Sequence, residues 1–231
     1  MSDDGETVAA LPRGRPAYRP VARDTVQEQV FRQLKELILD GEIAPGRTVT
    51  IQSLAEAFAV SAMPVREALH RLTAAQALTV VAGRSVGIPP LSVERLEDLR
   101  RVRGEIEGLA AAWAAANATP ELIARLDALM AKMESATADA DRLSFVPANR
   151  EFHFTIYRAA GSESLMAVIE PLWLQIGPYL SLLRGSGNWR VANRQHRAIR
   201  DALANGDGAA ARSALQADID EAATILTRLL G

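Results

Sequence analysis

Cysteine is absent from this chain of 231 residues, aromatic residues make up only 5%, and there are three histidines. Without a thiol there is no disulfide, no thiolate metal site and no cysteine nucleophile, which fits a reducing compartment. No apolar run approaches the length of a membrane span, and the polar N-terminus is unlike a signal peptide. The sequence therefore predicts a soluble, cytoplasmic protein with no membrane partner.

An excess of basic charge is lacking as well. The formal net charge is −2, and residues 1–90 carry ten Lys or Arg against ten Asp or Glu. Proteins that bind nucleic acid often show a strong basic excess. If this chain binds nucleic acid, individual arginines must line one side of it to make up for the missing excess of charge. The candidates are Arg66, Arg71 and Arg84, together with the N-terminal residues Arg13, Arg15, Arg19 and Arg23.

Two short helices joined by a tight turn are predicted for residues 53–72. Leu54 and Phe58 share one helical face, Ala59-Val60-Ser61 interrupts the period, and apolar spacing resumes at Val65. Ser61 stands where an N-cap belongs, and Pro64 falls in the first turn of the second helix, where its missing N–H costs no hydrogen bond. The start of that second helix would face DNA in a helix-turn-helix, with Arg66 the strongest candidate contact.

The same pattern also fits an ordinary helical hairpin in a core, and the flanking sequence favours DNA binding over that alternative. An amphipathic helix over 24–40, ended by Gly41, precedes the pair. Two β-rich runs, 78–81 and 85–89, follow it around Ala82-Gly-Arg84. They predict a hairpin that forms a wing.

These residues resemble the winged-helix domain of GntR-type bacterial transcription regulators, from about Val26 to Pro89. The resemblance is carried by Leu39-Asp-Gly-Glu-Ile-Ala-Pro-Gly46, by Leu54-Ala-Glu56 and, most specifically, by Val60-Ser-Ala-Met-Pro-Val-Arg-Glu-Ala-Leu69. It implies DNA contacts at Gln52, Ser61, Ala62, Met63, Arg66, Gly83 and Arg84.

Three positions depart from the family's usual pattern: Ala62 replaces a common Arg, Met63 a common Thr, and Ser85 a wing-tip Gly. A missing guanidinium removes a contact to a base or a phosphate. The operator recognised by this chain is therefore free to differ from the family's usual one, while the fold inference is unaffected.

The composition divides the chain into three parts. Residues 1–22, rich in Pro, Gly and Arg, are expected to be a disordered arm, either a solubilising tail or, through residues 13–16, a DNA-groove contact. A winged helix-turn-helix domain would occupy 23–89. From the linker at 88–91 onward Ala and Leu dominate, which predicts an all-helical bundle over 90–231 with helices at about 92–117, 120–138, 144–160, 163–184, 190–205 and 207–230. The fold class is thus mainly α.

Two of the three histidines fall in this bundle. Asn149 and His153 are four residues apart, so their side chains leave the same helix face. His196 and Asp218 lie on the predicted fifth and sixth helices of the bundle, and facing helices can bring such groups around one metal ion. His70, on the second helix of the DNA-binding pair, is expected to be solvated or simply hydrogen-bonded rather than a metal ligand.

Residues 95–228 resemble the all-helical FCD effector domain of the FadR branch of the GntR family. The matching motifs are Val102-Arg-Gly-Glu-Ile-Glu107, Asn149-Arg-Glu-Phe-His153, Gln195-His196, Ala202-Leu-Ala-Asn-Gly-Asp207 and Leu215-Gln-Ala-Asp-Ile219. By resemblance, Asn149, His153, His196 and Asp218 would bind a divalent metal, with Asp218 in place of an expected His and Asn149 in place of the commoner Asp. This N/O set suits Zn, Ni or Mn. The alternative is a metal-free, hydrogen-bonded polar cluster.

A metal with open coordination positions would attract a small carboxylate. Arg103, Arg150 and Arg194 lie near the motif and are candidate effector clamps, with Arg103 matching a recurring arginine of the family. Trp173, Tyr179 and Trp189 are either pocket residues or ordinary core.

The sequence thus predicts a homodimeric, ligand-responsive transcription regulator, a repressor by family habit, that binds an inverted-repeat operator and is not an enzyme. A metal-dependent, hydrolase-like enzyme fused to a DNA-binding module is the competing hypothesis. No general base separate from the ligand set is present to support it. A third hypothesis is a DNA-binding module whose helical part only dimerises.

Overall fold

The computed structural model describes residues 25–82, 85–138, 142–180, 182–183 and 189–230. The predicted arm, 1–22, and the two wing-tip residues Gly83 and Arg84 lie outside this range. So do the side chain of Trp189 and the predicted break at 185–187. In the described part of the chain, none of the helices combines the length and hydropathy that a bilayer crossing requires.

The N-terminal part is a winged helix-turn-helix, as predicted. Its elements are α1 (Val26–Leu39), β1 (Thr48–Thr50), α2 (Ile51–Ala57), α3 (Ala62–Ala74), β2 (Thr79–Ala82) and β3 (Ser85–Gly87). The three strands form an antiparallel sheet in the order β1-β3-β2, with Val86 opposite both Val49 and Val80. The hairpin of β2 and β3 was expected. The third strand, β1, was not, because three residues are too few to show an alternating pattern.

The first helix, predicted over 24–40, begins at Val26, two residues later than expected, and ends at Leu39. Thr25 is its N-cap, and the Thr25 hydroxyl accepts a hydrogen bond from the backbone N–H of Glu28 at 3.2 Å. After the helix the chain turns through Gly41, whose φ of 71° is favourable for glycine. Leu34 and Ile38 of the predicted apolar face are fully buried, whereas Val26 is 52% exposed.

The turn between α2 and α3 follows the break seen in the sequence. Ala59 adopts a φ of 53°, which reverses the chain between the helices. Ser61 occupies the N-cap position of α3 with extended backbone, but the expected hydrogen bond from its side chain is absent. Pro64 lies in the first turn of α3, as predicted, and is buried together with Val65. The start of α3 is therefore defined by this turn and the proline, without a side-chain cap.

The described residues of the C-terminal bundle form six helices: α4 (Val93–Ala116), α5 (Pro120–Ala138), α6 (Arg142–Ala159), α7 (Glu163–Leu180), α8 (Trp189–Ala204) and α9 (Gly208–Leu230). Their bounds agree with the predicted ones to within about two residues, except at one end. Helix α7 was expected to reach residue 184 and ends at Leu180. Pro178 lies in its last turn, where a proline weakens helical hydrogen bonding.

The two parts of the protein pack directly on each other through α1 and α7. At Gly177 of α7, a Cβ atom would lie 3.3 Å from the Cα and the carbonyl oxygen of Leu39 on α1. Near this contact, Tyr179 donates a hydrogen bond to the carbonyl of Pro89, and Lys35 pairs with Glu170 at 3.0 Å. The buried apolar core continues from the winged helix into the bundle. Because this core is continuous, it does not mark a boundary between two domains, and the limits 23–89 and 90–231 stay predictions.

We expect Gly177→Ala to destabilise the protein by about 1–2 kcal/mol, because its methyl group would push against the backbone of α1. The control is Gly104→Ala on α4, where the new Cβ would meet only the Cγ of Gln216, at 3.8 Å. There the better helix propensity of alanine should make the variant as stable as wild type or slightly more so. Urea unfolding curves measure both. Equal midpoints for the two variants would contradict a close α1–α7 contact.

Candidate functional site

The start of α3 is presented to solvent. The side chain of Met63 is 63% exposed, which is unusual for a large apolar residue. Ser61, Ala62 and Arg66 are exposed beside it. Gln52, on α2, is exposed too and donates a hydrogen bond to Glu56 at 3.2 Å. Gln52, Ala62 and Arg66 line a shallow groove between α2 and α3. All five described candidates for DNA contact are therefore exposed, and three of them share this groove.

The other arginine of α3 is engaged within the protein. Arg71 pairs with Glu28 of α1 at 2.9 Å and stacks on the ring of Phe31, with 3.5 Å between its Cζ atom and the ring centroid. Its role is to hold α3 against α1. Arg66 is consequently the α3 arginine best placed for a partner outside the protein. His70, as expected, is exposed.

The bundle brings His153, His196 and Asp218 together from α6, α8 and α9. One potential ligand atom from each lies within 4.8 Å of the others. The Nε2 atom of His153 is 3.4 Å from a carboxylate oxygen of Asp218, and the Nε2 atom of His196 is 3.6 Å from the other. Asn149, one helical turn before His153, lines a cavity together with His153 and Asp218. The structure thus brings three of the four predicted ligands together and places Asn149 on the wall of the adjoining cavity.

Burial controls the protonation of this cluster. It lowers the pKa of His196 to about 3 and that of His153 well below its ordinary value, with His196 and Arg103 adding to the effect on His153. It also raises the pKa of Asp218 to about 7, with help from Glu107 and Glu221 and against the opposing charge of Arg103. Both imidazoles are therefore neutral at pH 7, which is the form that binds metal ions.

The fit of a cation can be judged from the buried polar atoms. Both ring nitrogens of His196 are buried and have no hydrogen-bond partner among the described residues. Burying such groups without a partner costs free energy. The distances from the two imidazoles to Asp218 exceed normal hydrogen-bond lengths, so no direct hydrogen bond joins either ring to this carboxylate. Two neutral imidazoles, a carboxylate and an amide oxygen are a donor set that suits a divalent transition metal.

A cavity that opens to solvent lies beside this cluster, and its void, including the open mouth, is about 820 Å³. His153, Asn149 and Asp218 form its polar end. Most of the remaining wall is apolar: Leu39, Phe145, Val146, Trp173, Leu180, Leu183, Ile219, Ala222 and Ile225. Trp173 is thus a pocket residue, whereas Tyr179 is buried outside this lining. Leu39 belongs to α1, so the winged helix supplies part of the wall.

The three candidate arginines have different surroundings. Arg103 lines the cavity but is buried in an ion pair with Glu107, with 2.6 Å between Nε and the carboxylate. Arg150 also lines the cavity and reaches α1, where it pairs with Glu36 at 2.5 Å and Asp40 at 3.3 Å. Arg194 has a side chain that is 72% exposed and lies outside the cavity lining. The structure therefore brings two of the three to the cavity.

Sequence reasoning missed a buried group behind His153. Glu107, fully buried, accepts hydrogen bonds from Arg103, from the hydroxyl of Tyr157 and from the indole nitrogen of Trp173, the last at 3.1 Å. The Tyr157 hydroxyl lies 3.3 Å from Nδ1 of His153. The available signal was the i,i+4 spacing of Arg103 and Glu107 within one motif, which predicts a pair but not its burial.

Comparisons with known proteins match both parts of the chain. The family model described as "Bacterial regulatory proteins, gntR family" covers residues 26–88, and the model described as "FCD domain" covers 98–221, more than half of the chain. The "HTH-type transcriptional regulator McbR" of Escherichia coli (strain K12) is 35% identical over 155 residues, which are 67% of this chain and 70% of that protein.

A solved structure and one further relative extend the similarity over most of the chain. The solved structure titled "E. coli McbR/YncC" has a TM-score of 0.82 at 29% identity and covers 90% of this chain and 99% of its own. The "Probable D-xylose utilization operon transcriptional repressor" of Paenarthrobacter nicotinovorans is 28% identical over 84% of this chain and 86% of its own.

These families and relatives are transcriptional regulators, so the hypothesis of a hydrolase-like enzyme is set aside. The exposed start of α3, the three-stranded wing sheet and the helical bundle agree with this match. The chain belongs to the GntR family of bacterial transcriptional regulators, with a winged-helix DNA-binding domain followed by an FCD domain.

Proposed function

We propose that this regulator binds an inverted-repeat operator as a homodimer, and that a small carboxylate held at a divalent metal in the bundle changes its operator affinity. One observation supports the ligand response above all. The cavity lined by His153 and Asp218 of the cluster is also lined by Arg150, and Arg150 is ion-paired with Glu36 and Asp40 of the DNA-binding domain.

The accessible surface of α3 supports the DNA-binding mode. In a winged helix, the N-terminal residues of the recognition helix contact base edges in the major groove. Arg66 would bind a guanine or a phosphate there, while Met63 and Ala62 would make apolar contacts. Wing residues Gly83 and Arg84, which lie outside the described range, keep their predicted contacts as part of this proposal.

Exposed apolar side chains on α4 support the homodimer. Val102 and Trp113 are 41% and 45% exposed. They are eleven residues apart, which is close to three helical turns, so they lie on one face together with Ile106. A contiguous apolar stripe on an exposed helix is typical of a protein–protein interface. Two copies joined symmetrically would present two α3 helices to an inverted repeat.

The unpartnered nitrogens of His196 and the neutral state of His153 support the metal. Zn, Ni or Mn would be held by these two imidazoles, by Asp218 and by the amide oxygen of Asn149. The ion would supply a Lewis acid that attracts a carboxylate. Because most of the remaining wall is apolar, the ligand that fits is a monocarboxylate with an apolar body rather than a polyacid.

The ligand signal would pass through Arg150. A carboxylate that engages this guanidinium competes with Glu36 and Asp40, which lie in the last turn of α1 and just after it. A ligand that weakens these pairs favours another placement of the winged helix and shifts the population between two states. By analogy with the relative named as a repressor, we propose that the ligand relieves repression.

Replacing Arg66 by alanine tests the DNA-binding face. We expect Arg66→Ala to weaken binding to an operator chosen by in vitro selection by about 1–3 kcal/mol, because a bidentate contact or an ion pair is lost. Arg194→Ala is the matched control, since it removes the same charge from an exposed position in the bundle. Fluorescence anisotropy measures both. If Arg66→Ala binds as tightly as Arg194→Ala, α3 does not have the assigned role.

Replacing His153 by alanine tests the metal site. After incubation with Zn²⁺ and gel filtration, we expect about one ion per wild-type chain and a large loss in His153→Ala, because a buried ligand is removed. His70→Ala, on the exposed face of α3, should retain the wild-type content. Elemental analysis gives the result. Metal content that is equal in wild type and His153→Ala would contradict the ligand assignment and favour a metal-free polar cluster.

A further inference from the structure

A buried row of polar side chains leads from Arg103 through Glu107 and Tyr157 to His153. Glu107 and Tyr157 are fully buried, and neither lines the cavity. Nothing in the proposed function requires them. Four polar groups kept together in a core are costly unless every hydrogen bond is made, so the direction of each hydrogen bond is informative.

The direction of each hydrogen bond follows from the charge of Glu107. Its carboxylate binds the guanidinium of Arg103 through two contacts, Nε at 2.6 Å and a terminal nitrogen at 3.2 Å. Such bidentate pairing stabilises the ionised carboxylate, and an ionised carboxylate only accepts hydrogen bonds. Trp173, whose indole nitrogen only donates, approaches the same carboxylate at 3.1 Å. Arg103, Trp173 and Tyr157 must therefore all donate hydrogen bonds to Glu107.

Tyr157 is the neighbour whose hydroxyl can either donate or accept a hydrogen bond. A phenol has one proton, and the short contact with Glu107 uses it. The Tyr157 oxygen can then only accept a hydrogen bond from the other side, where Nδ1 of His153 lies 3.3 Å away. For this contact to be a hydrogen bond, Nδ1 must carry the proton of the neutral imidazole. The lone pair is then on Nε2, the atom that faces Asp218 at 3.4 Å.

We propose that Tyr157, oriented by Glu107, is a positioning residue that holds His153 as the Nδ1–H tautomer and thereby presents the Nε2 lone pair to a metal ion. This inference rests on the metal site of the proposed function. Metal-bound histidines commonly donate their second N–H to a protein acceptor, which fixes the ring and strengthens the ligand. Here the acceptor is a tyrosine that a buried Arg–carboxylate pair has oriented.

His196 provides an internal contrast. Neither of its ring nitrogens has a hydrogen-bond partner among the described residues. No hydrogen bond among the described residues fixes its tautomer, so a bound metal would have to do so. His153 is therefore the preset ligand of the pair, and removal of the Tyr157 hydroxyl should affect His153 alone.

The test is ¹⁵N NMR of the three histidine rings in the metal-free protein, assigned with His153→Ala and His70→Ala. In wild type we expect His153 to be a single Nδ1–H tautomer and His196 a mixture. In Tyr157→Phe, which keeps the ring volume, we expect both tautomers at His153. We also expect Zn²⁺ affinity about 10–100-fold lower by chelator competition. Tyr179→Phe is the control, because its hydroxyl bonds Pro89 outside the cavity.

Two results would overturn the proposal: an Nε2–H tautomer of His153 in wild type, or a Tyr157→Phe variant with unchanged tautomer and Zn²⁺ affinity. The tautomer of His153 is read from the wild-type protein, and His153→Ala and His70→Ala serve only to assign its signals, so poor folding of Tyr157→Phe does not prevent a decision. Failure of the metal site is separate. A wild-type protein that binds no Zn²⁺ contradicts the proposed metal and its preset ligand, whereas the tautomer spectra still establish whether Tyr157 orients His153.

Discussion

The ion pairs of Arg150 are the interaction on which the proposed ligand response depends. Arg150 projects from α6, lines the cavity beside the histidine cluster, and ends between Glu36 and Asp40 of α1. Its side chain is only 17% exposed, so water screens these pairs less than it screens pairs on the open surface. A ligand that changes the charge near this guanidinium therefore changes the energy of a contact between the two parts of the regulator.

Close packing connects this contact both to the cavity wall and to the recognition helix α3. Gly177 lets α7 approach the backbone of Leu39, and the side chain of Leu39 then forms part of the cavity wall. Helix α1 also holds the recognition helix, through Arg71, Glu28 and the ring of Phe31. A displacement of α1 would thus be transmitted to α3 through contacts that are already formed. Packed elements of this kind respond as units rather than by continuous deformation.

Much of this arrangement follows from local sequence. Apolar periodicity predicts the helices of the bundle, the helix-turn-helix and the β2–β3 hairpin. Residues typical of helix ends, such as Gly41 after α1 and Pro64 in the first turn of α3, support the boundaries. The sequence could not show that Arg103 is neutralised by buried Glu107, because burial is a property of the packed bundle. Nor could it show that Arg150 bridges to α1, since Glu36 lies more than a hundred residues away. Local rules give the elements, and long-range pairing gives the site.

The most direct test of the coupling is the effect of a ligand on operator affinity when the partners of Arg150 are changed. Linear monocarboxylates from acetate to decanoate are titrated into the Zn²⁺-loaded protein, with operator binding followed by fluorescence anisotropy. In wild type the Kd should change by about 5–150-fold. In Glu36→Gln with Asp40→Asn the carboxylate should still raise Tm, because the cavity is intact, but the operator Kd should no longer respond. A double variant that responds like wild type would contradict the account.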